Sequence, residues 1–180
     1  MSHITSYAEH LPASPVLHLR QGEYFISGSR PVPVCTVLGS CVAVTMHAPD
    51  LGLGGMSHAV LPHGGIGSGS KPGREGYFVD SSTELLYAEM LRAGADPARI
   101  EVKVFGGGNV LCPGEGEDGF RVGLKNVQAA REALYRLGLV ASKMDVGGPR
   151  GRKIVFEPCT GVVWVKKLRR AGIPTEVGHE

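Results

Sequence analysis

Residues 41–47, Cys-Val-Ala-Val-Thr-Met-His, form a β-branched, mostly apolar run of the kind found in strands that are buried on both faces. Ala48-Pro49-Asp50 marks a turn after this run, and residues 54–61, Gly-Gly-Met-Ser-His-Ala-Val-Leu, are the next strand candidate. A turn centred near Asp50 joins the two runs as an antiparallel hairpin. The fold is therefore predicted to be built around this hairpin.

Strand and helix patterns follow one another outside the hairpin. Apolar residues at helical spacing predict one helix between Ser81 and Gly94 and another between Asn126 and Gly138, with the polar residue as N-cap and the glycine as the end. Short apolar runs predict further strands at residues 23–27, 34–38, 100–105, 139–144, 153–156 and 162–168. The pattern predicts an α/β fold, a single-domain layered sandwich with a mixed sheet, about seven strands and two main helices.

Composition excludes several classes of protein. Of the 180 residues, 42% are hydrophobic and 20% are charged, which excludes general disorder. The net charge of +2 excludes a nucleic-acid binder that relies on bulk positive charge. No apolar run approaches the roughly 18 residues of a membrane span, and no signal-peptide pattern is visible, so we expect a cytoplasmic protein without direct membrane insertion.

The folded domain is predicted to span residues 17–168. Residues 1–16 are polar and carry two prolines, so they are expected to form a flexible leader, and residues 169–180 are expected to form a flexible tail. Residues 62–76 are rich in glycine and predict a long loop. The four cysteines lack zinc-finger spacing, so neither a structural metal nor a disulfide is expected.

Cys41 is the first candidate for chemistry. It follows Gly39-Ser40 at the start of the buried strand, where glycine permits a tight turn. A thiol that projects from such a turn has backbone N–H groups nearby that can hold an oxyanion. A buried structural thiol is the alternative, because free cysteines are among the most buried residues.

A nucleophilic thiol needs a base, because the thiolate is the reactive form. A turn near Asp50 pairs residues whose numbers add up to about 101, so His58 lies opposite Ala43 and shares a face with Cys41. His47 shares that face but lies about 20 Å along the strand. His58 is therefore the candidate base. The alternative is a core histidine that is hydrogen-bonded to backbone. If His58 is the base, we expect the Cys41 thiolate to form below the ordinary cysteine pKa of about 8.5.

Three further segments are weaker candidates. Residues 106–109, Gly-Gly-Gly-Asn, follow a strand but lack phosphate-loop spacing, so a tight loop beside a site is predicted. Arg150, Arg152 and Lys153 are suited to a carboxylate or phosphate, but a solvated turn is the favoured interpretation. The basic stretch at 166–170 lacks interleaved aromatic residues, which favours a solubilising face or docking patch over nucleic-acid binding.

The segment Thr-Val-Leu-Gly-Ser-Cys-Val-Ala-Val at 36–44, followed by Gly-Met-Ser-His-Ala-Val-Leu-Pro at 55–62, resembles the CheD family of chemoreceptor glutamine deamidases. The resemblance covers about residues 17–168. It includes Gly-Glu-Tyr at 22–24, Tyr-Phe-Val-Asp at 77–80, Phe-Gly-Gly-Gly at 105–108, Val-Gly-x-x-Asn at 122–126 and Asp-x-Gly-Gly at 145–148.

The resemblance implies an α/β sandwich like that of bacterial toxin glutamine deamidases, with Cys41 as nucleophile and His58 as base. It implies hydrolysis of glutamine side-chain amides to glutamate through a cysteine thioester, with release of ammonia and without metal or organic cofactor. Family members carry an upstream threonine, and the matching position here holds Cys35, with Thr36 next. Because Gly39-Ser40 breaks strand alternation, Thr36 is predicted as the third catalytic residue, with Cys35 as the alternative.

The resemblance also implies partners. The substrate is expected to be the cytoplasmic helical region of methyl-accepting chemotaxis receptors, and a CheC-like phosphatase is a further candidate partner. A non-enzymatic regulatory module that docks on such a phosphatase or on receptors is the alternative function.

Overall fold

The computed structural model of the chain describes residues 15–27, 32–64, 74–109 and 117–169, with side chains from residue 122 onward in the last range. Most of the predicted leader and tail, and the centre of the predicted 62–76 loop, lie outside the described residues. The described strands are β1 (Leu17–His18), β2 (Tyr24–Ile26), β3 (Val34–Leu38), β4 (Val42–Ala48), β5 (Leu53–Ala59), β6 (Glu101–Gly106), β7 (Ala141–Val146), β8 (Arg152–Phe156) and β9 (Val163–Lys167). The described α-helices are α1 (Val79–Arg92) and α2 (Glu117–Arg136).

The strands form two mixed sheets. The larger sheet has the order β2-β5-β4-β6-β7, in which only the β6–β7 pair is parallel. The smaller sheet has the order β1-β3-β8-β9, in which only the β1–β3 pair is parallel. The predicted α/β class is confirmed.

The larger sheet lies between the helices and the smaller sheet. On one face of β4, Val42, Val44 and Met46 pack against residues of α1 and α2. On the other face, Ala43 belongs to the apolar layer between the two sheets, with Val34 of β3 among its members. Because both faces of β4 are covered, all seven of its residues are buried, as its apolar sequence predicts.

The central hairpin has the predicted register. Ala43 pairs with His58, and Ala48 pairs with Leu53 across a short 3₁₀ turn at Pro49–Leu51. This register places His58 on the face of the larger sheet that looks toward the smaller one. The second predicted hairpin, β8 with β9, is also antiparallel.

Strand number and helix starts differ from expectation. Nine strands are described instead of about seven, and β1 has only two residues, too few to show a period. The helix α1 begins at Val79 after Phe78, whose side chain makes no capping hydrogen bond, so the Ser81 cap is wrong. Asn126 lies inside α2, which begins at Glu117, so its predicted capping role is wrong as well.

The chain passes from the smaller sheet to the larger one between β3 and β4, and Gly106 packs closely against this connection. Residues 39 and 40 form the bend. Gly106, at the end of β6, has φ of +110°, and a Cβ atom there would lie 2.1 Å from the Cys41 carbonyl oxygen. Only glycine therefore permits β6 to pass this close to the Cys41 backbone.

Gly106→Ala should destabilise the protein more than Gly94→Ala does. Gly94 has φ of +92°, but a Cβ atom there would have no neighbouring atom within 4 Å, so Gly94→Ala isolates the backbone cost of about 1–2 kcal/mol. Gly106→Ala adds a clash with backbone and should lose roughly 1–3 kcal/mol more. Urea unfolding of both variants measures the difference, and equal losses would show that the close approach at Cys41 is unimportant.

Candidate active site

Thr36 points into the space between the sheets. Strand alternation places it on the same side of β3 as Val34 and Leu38, which belong to the apolar layer there. Cys35 lies on the opposite side of β3, where its Sγ is 3.2 Å from Nδ1 of His18. The bend at 39–40 therefore separates the alternation of β3 from that of β4, as the prediction for Thr36 requires.

The Thr36 hydroxyl bridges two partners. It donates to the Leu19 carbonyl oxygen at 2.8 Å, and its Oγ1 lies 2.7 Å from Nδ1 of His58. A hydroxyl has one proton, and a carbonyl can only accept. Oγ1 must therefore accept a hydrogen bond from Nδ1–H of His58.

This bond decides the tautomer of the neutral imidazole. With the proton on Nδ1, the lone pair of His58 is on Nε2. Nε2 is buried, has no hydrogen-bond partner within the described residues, and belongs to a side chain that is 3% exposed. A buried nitrogen with a free lone pair is suited to accept a proton from a neighbouring group.

Cys41 lies beside this histidine on the larger sheet. It immediately precedes β4 and belongs to the same apolar layer as Ala43, the residue that pairs with His58. The register thus makes Cys41 and His58 diagonal neighbours on one face of the larger sheet, as predicted. The cysteine is 6% exposed.

Burial keeps both groups neutral before reaction. It raises the pKa of the Cys41 thiol, and the weaker opposing effects of its own backbone N–H and of the Gln21 amide do not offset it. Burial also lowers the pKa of the His58 imidazole. The expectation of a thiolate formed below the ordinary pKa is therefore corrected, because desolvation favours the neutral thiol beside a neutral imidazole.

The predicted tight loop at 106–109 supports the turn that carries Cys41. The backbone N–H of Gly107 donates to the Cys41 carbonyl at 2.7 Å, and that of Gly108 donates to the Gly39 carbonyl at 2.7 Å. These bonds tie both ends of the turn to β6. The loop thus lies beside the site, as predicted.

Asn126 is a supporting residue whose place the sequence pattern did not reveal. Its Nδ2 donates to the Ser40 carbonyl at 2.9 Å and to the Val60 carbonyl at 2.8 Å, so it joins the turn before Cys41 to the segment after β5. The side chain is fully buried. The sequence did contain a signal for this role, because Asn126 is a polar residue on the apolar stripe of a helix. The same pattern also fits the N-cap that was predicted.

The segment around residues 19–23 is a second missed contributor. The Gly22 N–H donates to the His58 carbonyl at 2.8 Å, and the His58 N–H donates to the Glu23 carbonyl at 3.0 Å. The Gln21 side chain reaches Cys41, with Nε2 3.8 Å from Sγ. This turn therefore contacts all three predicted site residues through its backbone or side chains.

Arg152 has a structural place that differs from the predicted solvated turn. Its guanidinium is fully buried and pairs with the Asp145 carboxylate at 2.6 Å. It also donates to the carbonyl of Gly147, so it organises the loop before β8. Together with Arg150 and Lys167 it lines a surface cavity of about 350 Å³.

Neither a metal cluster nor a membrane-spanning helix occurs in the described part of the chain. Among those residues, no three His, Cys, Asp or Glu side chains lie close enough together to hold a metal ion. Within the same ranges no helix is long and apolar enough to cross a membrane.

The fold and the cluster define an α/β sandwich with a buried cysteine next to an oriented histidine. Residues 60–167 match the family model described as CheD, chemotactic sensory transduction. Over 162 residues the chain is 40% identical to "Probable chemoreceptor glutamine deamidase CheD" of Nitratidesulfovibrio vulgaris, covering 88% of this chain and 80% of that relative.

Two other relatives agree with this match. The protein of the same name from Oleidesulfovibrio alaskensis is 40% identical, with coverage of 87% of this chain and 74% of the relative. "Probable chemoreceptor glutamine deamidase CheD 2" of Geobacter sulfurreducens is 38% identical, with coverage of 88% and 94%. The chain belongs to the CheD family, and the resemblance found in the sequence is confirmed.

Proposed function

We propose that this protein is a chemoreceptor glutamine deamidase, which hydrolyses glutamine side-chain amides of receptors to glutamate and ammonia. The names of its relatives support the reaction and the substrate class. The observation that carries the proposal is the Thr36–His58 hydrogen bond, because it leaves Nε2 as a free base beside a cysteine. Cys41, His58 and Thr36 are the proposed catalytic residues.

The first step couples proton transfer to attack. The Cys41 proton moves to Nε2 of His58 while Sγ attacks Cδ of the substrate glutamine. Because burial disfavours the charged forms of both side chains at rest, the His58 imidazolium forms only as Sγ bonds to the substrate carbon and the carbonyl oxygen becomes negative. Thr36 continues to accept from Nδ1–H, so it holds the imidazolium in place as charge develops.

The later steps return the site to its starting state. The backbone N–H of Cys41, which interacts with its own thiol, is proposed to stabilise the negative oxygen of the tetrahedral intermediate. The Nε2–H of His58 then protonates the departing amide nitrogen, which leaves as ammonia. Water, deprotonated by His58, hydrolyses the thioester and releases glutamate. These steps use side chains, backbone and water, so no cofactor is invoked.

The proposed substrate site is the cytoplasmic helical region of methyl-accepting chemotaxis receptors, and the proposed location of the enzyme is the cytoplasm. We assign this chemistry to the domain at residues 17–168. A CheC-like phosphatase stays a predicted partner, and none of the contacts described above favours a purely regulatory module over the enzyme.

Cys41→Ala and His58→Ala should each reduce deamidation of a receptor fragment by at least about a thousandfold, and the double variant should be hardly slower than either. The reason is that nucleophile and base act as one unit. Mass spectrometry of the fragment after timed incubation measures the conversion of glutamine to glutamate.

Matched controls are available in the same fold. Cys159→Ala removes a free cysteine, and His47→Ala removes a buried histidine at the far end of β4. Both variants should deamidate the fragment at close to the wild-type rate at a temperature where they are folded. Multiplicative losses in the double Cys41/His58 variant would contradict the proposed unit.

Thr36→Val should slow deamidation by roughly ten- to a hundredfold, because the isosteric side chain removes the acceptor that lies 2.7 Å from Nδ1 and leaves only the Leu19 backbone to orient the imidazole. Cys35→Ser should change the rate less than twofold, because Cys35 points away from His58. Rates of the two variants on one receptor fragment decide between them. A larger effect at Cys35 would show that the third role belongs to Cys35 instead.

A further inference from the structure

Two N–H donors converge on the Cys41 sulfur from different segments of the chain. One is the backbone N–H of Cys41 itself, and the other is the side-chain amide of Gln21, whose Nε2 lies 3.8 Å from Sγ. Both hydrogen bonds lower the pKa of the thiol, although burial raises it more. The mechanism above uses only the backbone donor.

The position of Gln21 is built into the turn that contains it. The Glu23 N–H donates to the Arg20 carbonyl at 3.1 Å, and the Glu23 carboxylate accepts from the Arg20 N–H at 2.8 Å. The turn is also joined to the His58 backbone, because the Gly22 N–H donates to the His58 carbonyl and the His58 N–H donates to the Glu23 carbonyl. Two closed hydrogen-bonded pairs thus fix the backbone from which Gln21 reaches Cys41.

Gly22 limits the turn to this geometry. It has φ of +80°, which only glycine adopts readily, and a Cβ atom there would lie 2.3 Å from the ring of Tyr77. The turn is therefore pressed against the segment that leads into α1. The Gln21 side chain is exposed, and its direction toward Cys41 is set by this fixed backbone.

Three other residues with amide donors near the turn already have partners for them. Both N–H bonds of Asn126 are used by the carbonyls of Ser40 and Val60. The N–H groups of Gly107 and Gly108 are bound to the carbonyls of Cys41 and Gly39. Within the described part of the chain, the Gln21 amide has only the Cys41 sulfur as its hydrogen-bond partner.

We propose that Gln21 is a further catalytic residue, whose Nε2–H supplies the side-chain half of the oxyanion hole while the backbone N–H of Cys41 supplies the other half. This inference rests on the proposed deamidase function. An oxyanion needs donors about 2.7–3.1 Å away. The negative oxygen of the intermediate is two bonds from Sγ, so a donor 3.8 Å from Sγ reaches hydrogen-bond distance when that oxygen points toward Gln21.

The neutral amide is suited to this role. It stabilises a negative oxygen without itself titrating, and it neither competes with His58 for the thiol proton nor repels the intermediate. Before substrate binds, the Gln21 amide donates a weak hydrogen bond to Sγ of Cys41. When the substrate carbonyl arrives, Nε2–H exchanges the weak sulfur acceptor for an oxyanion, so the bond is stronger in the transition state than in the free enzyme.

The test uses Gln21→Met, which keeps the length of the side chain but removes the N–H, and Gln128→Met as the matched control. Gln128 lies on α2, where its amide donates to Glu132. On a receptor fragment, Gln21→Met should lower kcat on the order of a hundredfold with KM changed less than twofold. Gln128→Met should match wild type.

Gln21→Glu and alkylation of Cys41 separate catalysis from structure. Gln21→Glu should lower kcat at least as far as Gln21→Met, because a carboxylate repels the oxyanion. Alkylation of Cys41 by iodoacetamide forms no oxyanion. Because the Gln21 amide lowers the pKa of the thiol, Gln21→Met should slow this reaction modestly, by far less than it lowers kcat. A loss of alkylation as large as the loss of kcat, together with a lower melting temperature, would show that the substitution disrupts the structure around the thiol.

Three results would overturn the inference. They are wild-type kcat in Gln21→Met, a loss confined to KM, and a peptide mass showing that wild-type Gln21 itself becomes glutamate, which would make the residue a substrate. If wild type and Gln128→Met deamidate the fragment and Gln21→Met equals them, only this inference fails. If wild type itself does not deamidate the fragment, the proposed function fails with it.

Discussion

The Thr36 hydroxyl, held between the Leu19 carbonyl and Nδ1 of His58, is the interaction on which the site depends. Its single proton is committed to the carbonyl, so it can only accept from the imidazole, and the imidazole lone pair must be on Nε2. The Leu19 backbone also interacts with His58, so both groups beside the ring favour the proton on Nδ1. One hydroxyl on the smaller sheet thus sets the chemistry of a histidine on the larger sheet.

The two-sheet arrangement makes this contact possible. Thr36 and Cys41 are close in sequence, but the bend at 39–40 takes the chain from one sheet to the other. The cysteine therefore shares a sheet with His58 while the threonine faces it across the apolar layer. Glycine at 106 lets β6 pass against the crossing, and Asn126 ties it to the end of β5.

Local sequence predicts those parts of the site that depend on strand period and turn position. The turn near Asp50 predicts the pairing of Ala43 with His58, and the break at Gly39-Ser40 predicts Thr36 over Cys35. Gln21, Asn126 and Arg152 were missed because their partners are distant in sequence or are backbone atoms, which no residue pattern marks. The raised pKa of the thiol was missed as well, because desolvation depends on packing between the sheets.

The tautomer of His58 tests the central claim most directly. Nitrogen-15 NMR of histidine-labelled protein, recorded across a pH titration, distinguishes a protonated Nδ1 from a protonated Nε2. We predict that near neutral pH Nδ1 of His58 carries the proton and Nε2 does not. Because burial lowers the pKa of this imidazole, Nε2 should gain its proton only below the pH at which an ordinary histidine titrates. A neutral ring with its proton on Nε2 would contradict the role assigned to Thr36.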